Sequence, residues 1–338
     1  MITLAEIRAA HTRIAPAAVR TPLIQLDPER LRAAGITPPS AAIYLKDESA
    51  QPIGSFKLRG AYNKIAQLSP EQLQRGVITY SSGNHAQGVA YSAKALGSKA
   101  VIVMPSNSPQ VKREATAALG AEIVLVGNAS SDRKLKAEEL EAAHGYTMVP
   151  PYDDPAIIAG QATCGVEILE QLPDVDLVLS PVSGGGLLSG VSTGIKLLAE
   201  SLHEAAPKVY GCEPALAADA KQSFETKTLT EWPAADTSRT LCDGLRTQSL
   251  GTLNFEHILK FTDGIVTVTE AEIRRATRLI LDATNIVAEP SGAITLAAAL
   301  FHADELPPAK KIVAIVSGGN IDPNLRAELE SEPLATTV

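Results

Sequence analysis

Between residues 77 and 149 the chain repeats one pattern, and few folds accommodate it. Short apolar runs at 77–80, 100–104, 123–126 and 146–149 alternate with helical patterns reaching residue 96 and covering 108–119 and 132–143. Such runs, rich in Val and Ile, suit strands buried on both faces. Strands alternating with helices predict right-handed βαβ units and a parallel sheet. About 75 residues suffice for a small domain of this kind. Pro150-Pro151 closes it, since proline cannot donate to a ladder.

The flanking segments repeat the alternation more sparsely. Residues 3–18 predict an amphipathic helix with Ile7, Ala10 and Ile14 on one stripe, broken at Thr21-Pro22-Leu23. A strand is expected at 42–46. A helix is expected at 157–171, a strand at 176–179 and a helix after Ser183-Gly184-Gly185-Gly186-Leu187-Leu188. Strands follow at 208–212, 265–268 and 312–316, with a helix from Glu270 and a partly irregular stretch at 226–251. The polar tail, 326–338, is expected to fray.

With 338 residues the chain can bury two cores. Its net charge of −8 and lack of a basic cluster argue against nucleic acid and anionic membranes as partners. Cys164, Cys212 and Cys242 are widely spaced and odd in number, which points to a reducing compartment rather than a disulfide framework or structural zinc. No basic segment followed by an apolar run opens the chain, so a signal peptide is not expected and a cytoplasmic location is. No apolar run approaches membrane-spanning length.

The chemistry gathers around Lys57. A Pro52-Ile53-Gly54 turn leads into Ser55, and Leu58, Ala61, Tyr62 and Ile65 then recur at helical spacing. Lys57 thus falls in the first turn of a helix, where the macrodipole disfavours a cation. It reads either as a solvated surface lysine or as one whose lowered pKa serves a Schiff base. Three glycine-bearing loops end strands, where a parallel sheet binds ligands. Ser183 to Leu187 is the best phosphate cradle: Gly184, Gly185 and Gly186 permit close approach, and Ser183 adds a hydroxyl. It lacks the Lys-Ser/Thr ending of a P-loop and the spacing of a dinucleotide site. Ser81-Ser82-Gly83-Asn84-His85 reads as a helix cap or as a carboxylate-binding loop. Ser317-Gly318-Gly319-Asn320 is the third.

Seven motifs in order then resemble the fold-type II pyridoxal-phosphate enzymes of the threonine/serine dehydratase and serine racemase family. They are the Gly54 to Ala61 stretch, Ser81 to Gly88, Ile158-Ala159-Gly160-Gln161, Ser183 to Leu187, Gly211-Cys212-Glu213-Pro214, Val287 to Ala293, and Ser317 to Asn320. The resemblance implies an α/β fold with two open, twisted, mostly parallel sheets flanked by helices. A small substrate-binding domain (75–151) is inserted in a larger cofactor-binding one (1–74 and 152–325). It implies that Lys57 binds pyridoxal 5′-phosphate covalently, Phe56 lies beneath the ring, Asn84 bonds the 3-hydroxyl, and Ser183 to Leu187 hold the phosphate. Ser317 meets the pyridine nitrogen, and Glu289 belongs to the cofactor site. Ser81, Ser82, Asn84 and His85 are expected to take the substrate carboxylate. The implied reaction is α,β-elimination of water from L-threonine and/or L-serine, giving a 2-oxo acid and ammonia. The resemblance also implies a homo-oligomer, dimer or tetramer.

Three features separate branches of that family. Ser82 resembles the second serine of serine racemases, which acts as acid or base on the face opposite the lysine; the plain alternative is a helix cap. Pro150-Pro151-Tyr152-Asp153-Asp154-Pro155 instead resembles threonine dehydratases. Arg133 stands near where relatives face the substrate side chain and fits a β-carboxylate, or else is a solvated helix-start arginine. With Asp243-Gly244-Leu245-Arg246-Thr247, it keeps a 3-hydroxyaspartate dehydratase or serine racemase as the same-scaffold alternative. Glu213, Ala217 and Asp219 match the family's divalent-metal site, whose oxygen ligands suit Mg²⁺, Mn²⁺ or Ca²⁺. No room follows Asn320 for a regulatory domain, so isoleucine feedback is not expected. From other classes, the alternatives are a catalytically silent ligand-binding protein on this scaffold and a nucleotide-binding oxidoreductase. The missing GxGxxG and ribose-binding acid disfavour the latter.

Overall fold

In the computed structural model, residues 1–108, 110–127 and 130–332 are described, with backbone alone at 111, 130 and 131. Ten strands form two sheets: β1 (Leu23–Gln25), β2 (Ala42–Asp47), β3 (Val77–Tyr80), β4 (Ala100–Pro105), β5 (Glu122–Val126), β6 (Thr147–Met148), β7 (Leu177–Pro181), β8 (Lys208–Pro214), β9 (Gly264–Val268) and β10 (Lys311–Val316). The larger sheet runs β1-β2-β10-β7-β8-β9 and the smaller β5-β4-β3-β6. Every pairing is parallel except that of β1 with β2. The expected architecture is therefore present.

Helices cover both faces of both sheets, because the strands are apolar on both sides. On the larger sheet one core gathers Leu45, Leu179, Val266 and Ile294, and the other Val178, Leu188, Val191 and Val313. One face of the smaller sheet is closed by Ala61, Ile65 and Ile157, all from outside 75–151. The helix Lys57–Ile65 thus packs between the two halves, and seven of its nine residues are buried.

Several boundaries differ from expectation. The first helix is Leu4–Ile14, not 3–18; Pro16 has no N–H with which to continue it. The tail is not frayed from residue 326. A helix, Pro323–Ser331, is capped by Asp322 and docked through buried Leu329, and Arg274 pairs with Glu328 and Glu332. The rest of the predicted tail, 333–338, lies outside the described residues. The Ser317–Asn320 loop ends β10 as expected, and Gly318 bridges to Ser55. Among the described residues no helix is long and apolar enough to cross a membrane.

Candidate active site

The carboxyl end of β10 holds the Lys57 segment. Phe56 N donates to Ser317 O at 3.1 Å and Gly319 N to Gly54 O at 2.9 Å, beside the Ser55–Gly318 bridge. Lys57 is the first residue of its helix, which no side chain caps. Its Nζ donates to the carbonyl of Pro151 at 2.7 Å and lies 5.2 Å from the Phe56 ring centroid. Burial lowers its pKa to about 8, and no carboxylate counters the shift. A partly buried amine that, among the described residues, pairs with a carbonyl and not with a carboxylate is poised to lose its proton.

Below Lys57 the same helix is anchored by charge. Fully buried Arg59 reaches Glu48 (2.7 and 2.8 Å) and Glu167 (2.7 and 2.8 Å), and Lys46 reaches Glu167 at 2.7 Å. Burial would raise Glu48, but Arg59, Lys46 and the Thr21 hydroxyl together hold the carboxyl below its ordinary value.

The glycine loop follows β7. Gly185 adopts φ +93°, open to glycine at little cost, and begins the helix Gly186–Leu202 without a side-chain cap. The first-turn N–H groups are left for an anion. Ser183 Oγ shares a 2.7 Å hydrogen bond with Thr247 Oγ1, and Gly251 N donates to Gly184 O.

At the end of β3 the helix Asn84–Ala95 is capped by Gly83 with no side-chain hydrogen bond. Ser82 is therefore not its cap. Ser81 Oγ accepts from Gly83 N at 3.3 Å. Asn84 Nδ2 donates to Glu289 Oε1 at 2.8 Å, linking the smaller sheet's helix to the larger sheet's side. Glu289 is buried, and burial followed by nearby Asp243 pushes its pKa up to about 7. His85 spends Nε2 on the carbonyl of Val149 at 2.9 Å; burial and then Lys57 drive its pKa down to about 3, so the ring is neutral. That leaves its backbone N–H, rather than its ring, for a carboxylate. Ser317 is nearly buried at the end of β10. Arg133 is half-buried on the helix Ser130–His144, within electrostatic reach of Tyr80, and burial lowers its pKa. The structure does not bring it into a hydrogen bond with Ser82 or Asn84.

Of the predicted metal ligands, Glu213 lies at the end of β8 and Asp219 opens the helix Asp219–Thr226 that follows. Glu213 accepts from Ala220 N and Lys221 N, both at 2.9 Å, and burial and Asp219 push its pKa well up. Asp219 Oδ2 is buried without a partner. Among the described residues no three His, Cys, Asp or Glu side chains cluster at metal distance.

Tyr152, Asp153, Thr247 and Asn320 belong to the site but carried no assigned role in the sequence. Each stood inside a motif or flanking segment, so proximity to the motifs was the available signal.

The profile of the family described as "Pyridoxal-phosphate dependent enzyme" matches residues 14–318. The chain belongs to that family. This pyridoxal-phosphate enzyme is 40% identical over 291 residues to L-threo-3-hydroxyaspartate ammonia-lyase of Saccharomyces cerevisiae, covering 86% of each chain. It is 40% identical over 329 residues to L-threonine ammonia-lyase of Thermotoga maritima, covering 96% of this chain and 77% of that one. Serine racemase from Dictyostelium discoideum superposes with a TM-score of 0.85 at 36% identity, covering 95% of this chain and 99% of that one. The residues present fit the cofactor. An amine without a carboxylate partner, an uncapped helix start behind three glycines and the Asn84 amide all lie at carboxyl ends of strands.

Proposed function

We propose that this pyridoxal-phosphate enzyme is a hydroxy-amino-acid ammonia-lyase that removes water from L-threonine and/or L-serine. The observation that carries the reading is the Lys57 amine, its pKa near 8, held by a carbonyl beside an anion-ready helix start.

Pyridoxal phosphate, when bound, supplies an electron sink conjugated to the substrate's Cα. The uncapped Gly186–Leu202 helix, with Ser183 and Thr247, would hold its phosphate; Lys57, Phe56, Asn84, Glu289 and Ser317 would surround the rest. First-turn N–H groups of the Asn84–Ala95 helix, with Ser81 and Ser82, orient the substrate carboxylate. The Lys57 amine, poised near neutral pH, takes the Cα proton. The β-hydroxyl leaves as water with one proton, and the released enamine hydrolyses to the 2-oxo acid and ammonia. Ser317 would offer the cofactor ring a neutral hydroxyl rather than a carboxylate, leaving a weaker electron sink that would favour prompt elimination.

Two observations keep a second reading on the same scaffold. Ser82 is not spent as a helix cap, as a second-face acid or base of a serine racemase requires. Half-buried Arg133 would suit the β-carboxylate of 3-hydroxyaspartate, the substrate named for the yeast relative. A substrate panel scored for 2-oxo acid and for D-amino acid, on wild type and Ser82→Ala, separates them. No 2-oxo acid from any hydroxy amino acid would overturn the lyase reading.

The cation belongs to the proposal too. Glu213, Asp219 and the Ala217 carbonyl would hold Mg²⁺, Mn²⁺ or Ca²⁺, supported by the orphaned Asp219 oxygen and the mutual repulsion of the two acids. The domain division at 75–151, the dimer or tetramer and the cytoplasmic location complete it. Limited proteolysis, sedimentation and cell fractionation read these in turn.

A further inference from the structure

The amide of Asn320 is held by an atom whose role is beyond doubt. Its Nδ2 lies 2.9 Å from Ile53 O and 2.7 Å from Asn84 Oδ1. A backbone carbonyl only accepts, so the Asn320 atom facing it is the nitrogen. Both hydrogens of that nitrogen are then spent, and the Asn84 atom it faces is the oxygen. Asn84 Nδ2 therefore points the other way, with one hydrogen on Glu289 Oε1 at 2.8 Å and one left over. We propose that Asn320 is a positioning residue, which locks the Asn84 amide so that a donor rather than an acceptor faces the cofactor site.

The ligand chemistry this selects is an oxygen bearing negative charge, such as a phenolate. Glu289 alone does not lock the amide. Its carboxyl, pushed up to about 7 by burial and by Asp243, accepts when ionised but donates when protonated, and so tolerates either orientation. Asn320, fixed by Ile53, imposes one orientation in both states. The lock also spans the fold: Asn84 starts a helix on the smaller sheet, whereas Ile53 and Asn320 flank β2 and β10 of the larger.

The inference rests on the pyridoxal-phosphate reading and is tested by pyridoxal-phosphate titration, followed by the visible band and its dissociation constant. Asn320→Asp cannot donate, so Asn84 turns over and offers its oxygen. Asn320→Ala removes the lock but leaves the Glu289 contact. The isosteric variant should therefore bind about tenfold more weakly than wild type and the truncation only about threefold. In an Asn84→Ala background either change should alter affinity by less than about twofold. A merely structural role would persist without Asn84, because the Asn320→Asp oxygen would still face the Ile53 carbonyl; that result, or variants that bind as wild type does, overturns the proposal. Should Asn320→Asp fail to fold, the Asn320→Ala pair in the two Asn84 backgrounds decides. Wild type that takes up no pyridoxal phosphate would overturn the cofactor reading itself, a result distinct from variants that match a binding wild type.

Discussion

The ring of Tyr152 lies against Gly184, so that a β-carbon added there would stand 2.4 Å from ring carbons Cδ1 and Cε1. The same tyrosine follows Pro151, whose carbonyl holds Lys57, and precedes Asp153, which accepts from Leu253 N at 2.8 Å. Three consecutive residues thus tie the lysine, the glycine loop and the start of the helix Thr252–Phe261.

Gly184→Ala tests that packing. The methyl must displace the ring, and overpacking of this kind costs about 1–3 kcal/mol. Urea unfolding should show the loss, and pyridoxal-phosphate binding should weaken with it. In a Tyr152→Ala background the same methyl should cost much less; an equal cost in both backgrounds would place the strain elsewhere.

Lys57 predicts a pH signature. Its pKa of about 8 in the folded chain lies below the ordinary 10.5. The unfolded chain therefore binds more protons between those values, and the cofactor-free protein gains stability as pH rises from about 8 to 10.5. Cofactor capture needs the unprotonated amine, so its rate should rise about tenfold per pH unit below 8 and level off above. A rise continuing past pH 9.5 would mean a solvated lysine.

Arg59→Met tests the buried charges. It leaves Glu48 and Glu167 facing one another without a guanidinium, and breaking a buried pair in this way costs about 3–5 kcal/mol. The urea midpoint should fall accordingly. A change under about 1 kcal/mol would show that water reaches the cluster.

The proposed cation predicts a ligand-dependent melting point. Added Mn²⁺ or Mg²⁺ should raise Tm of wild type, with chelator reversing it, and should leave Asp219→Asn unmoved. A rise of equal size in Asp219→Asn would remove Asp219 from the site.

Strands β3 to β5 and β7 to β10 were legible to within two residues or so, because continuous Val/Ile runs between turn residues admit little else. Short β1 was not: Leu23-Ile24-Gln25 is an edge strand of three residues directly after a proline. Helices Pro28–Ala33 and Pro70–Arg75 carried readable signals, Asp27 and Ser69 as caps before proline. The tail misled because Leu329 is its one docking residue amid polar ones, and its partner Arg274 lies over fifty residues upstream. In the candidate site, the residues of the glycine-bearing motifs stood out in the sequence. The contacts of Tyr152 with Gly184 and of Asn320 with Asn84 did not, because these partners come from distant segments.

The most direct measurement is the visible absorbance of wild type and Lys57→Ala after incubation with pyridoxal phosphate, coupled to 2-oxo-acid release from L-threonine, L-serine and 3-hydroxyaspartate. Wild type should show a visible band and form product, and Lys57→Ala should show neither. A wild type that stays colourless, or a Lys57→Ala variant that keeps both band and turnover, would contradict it.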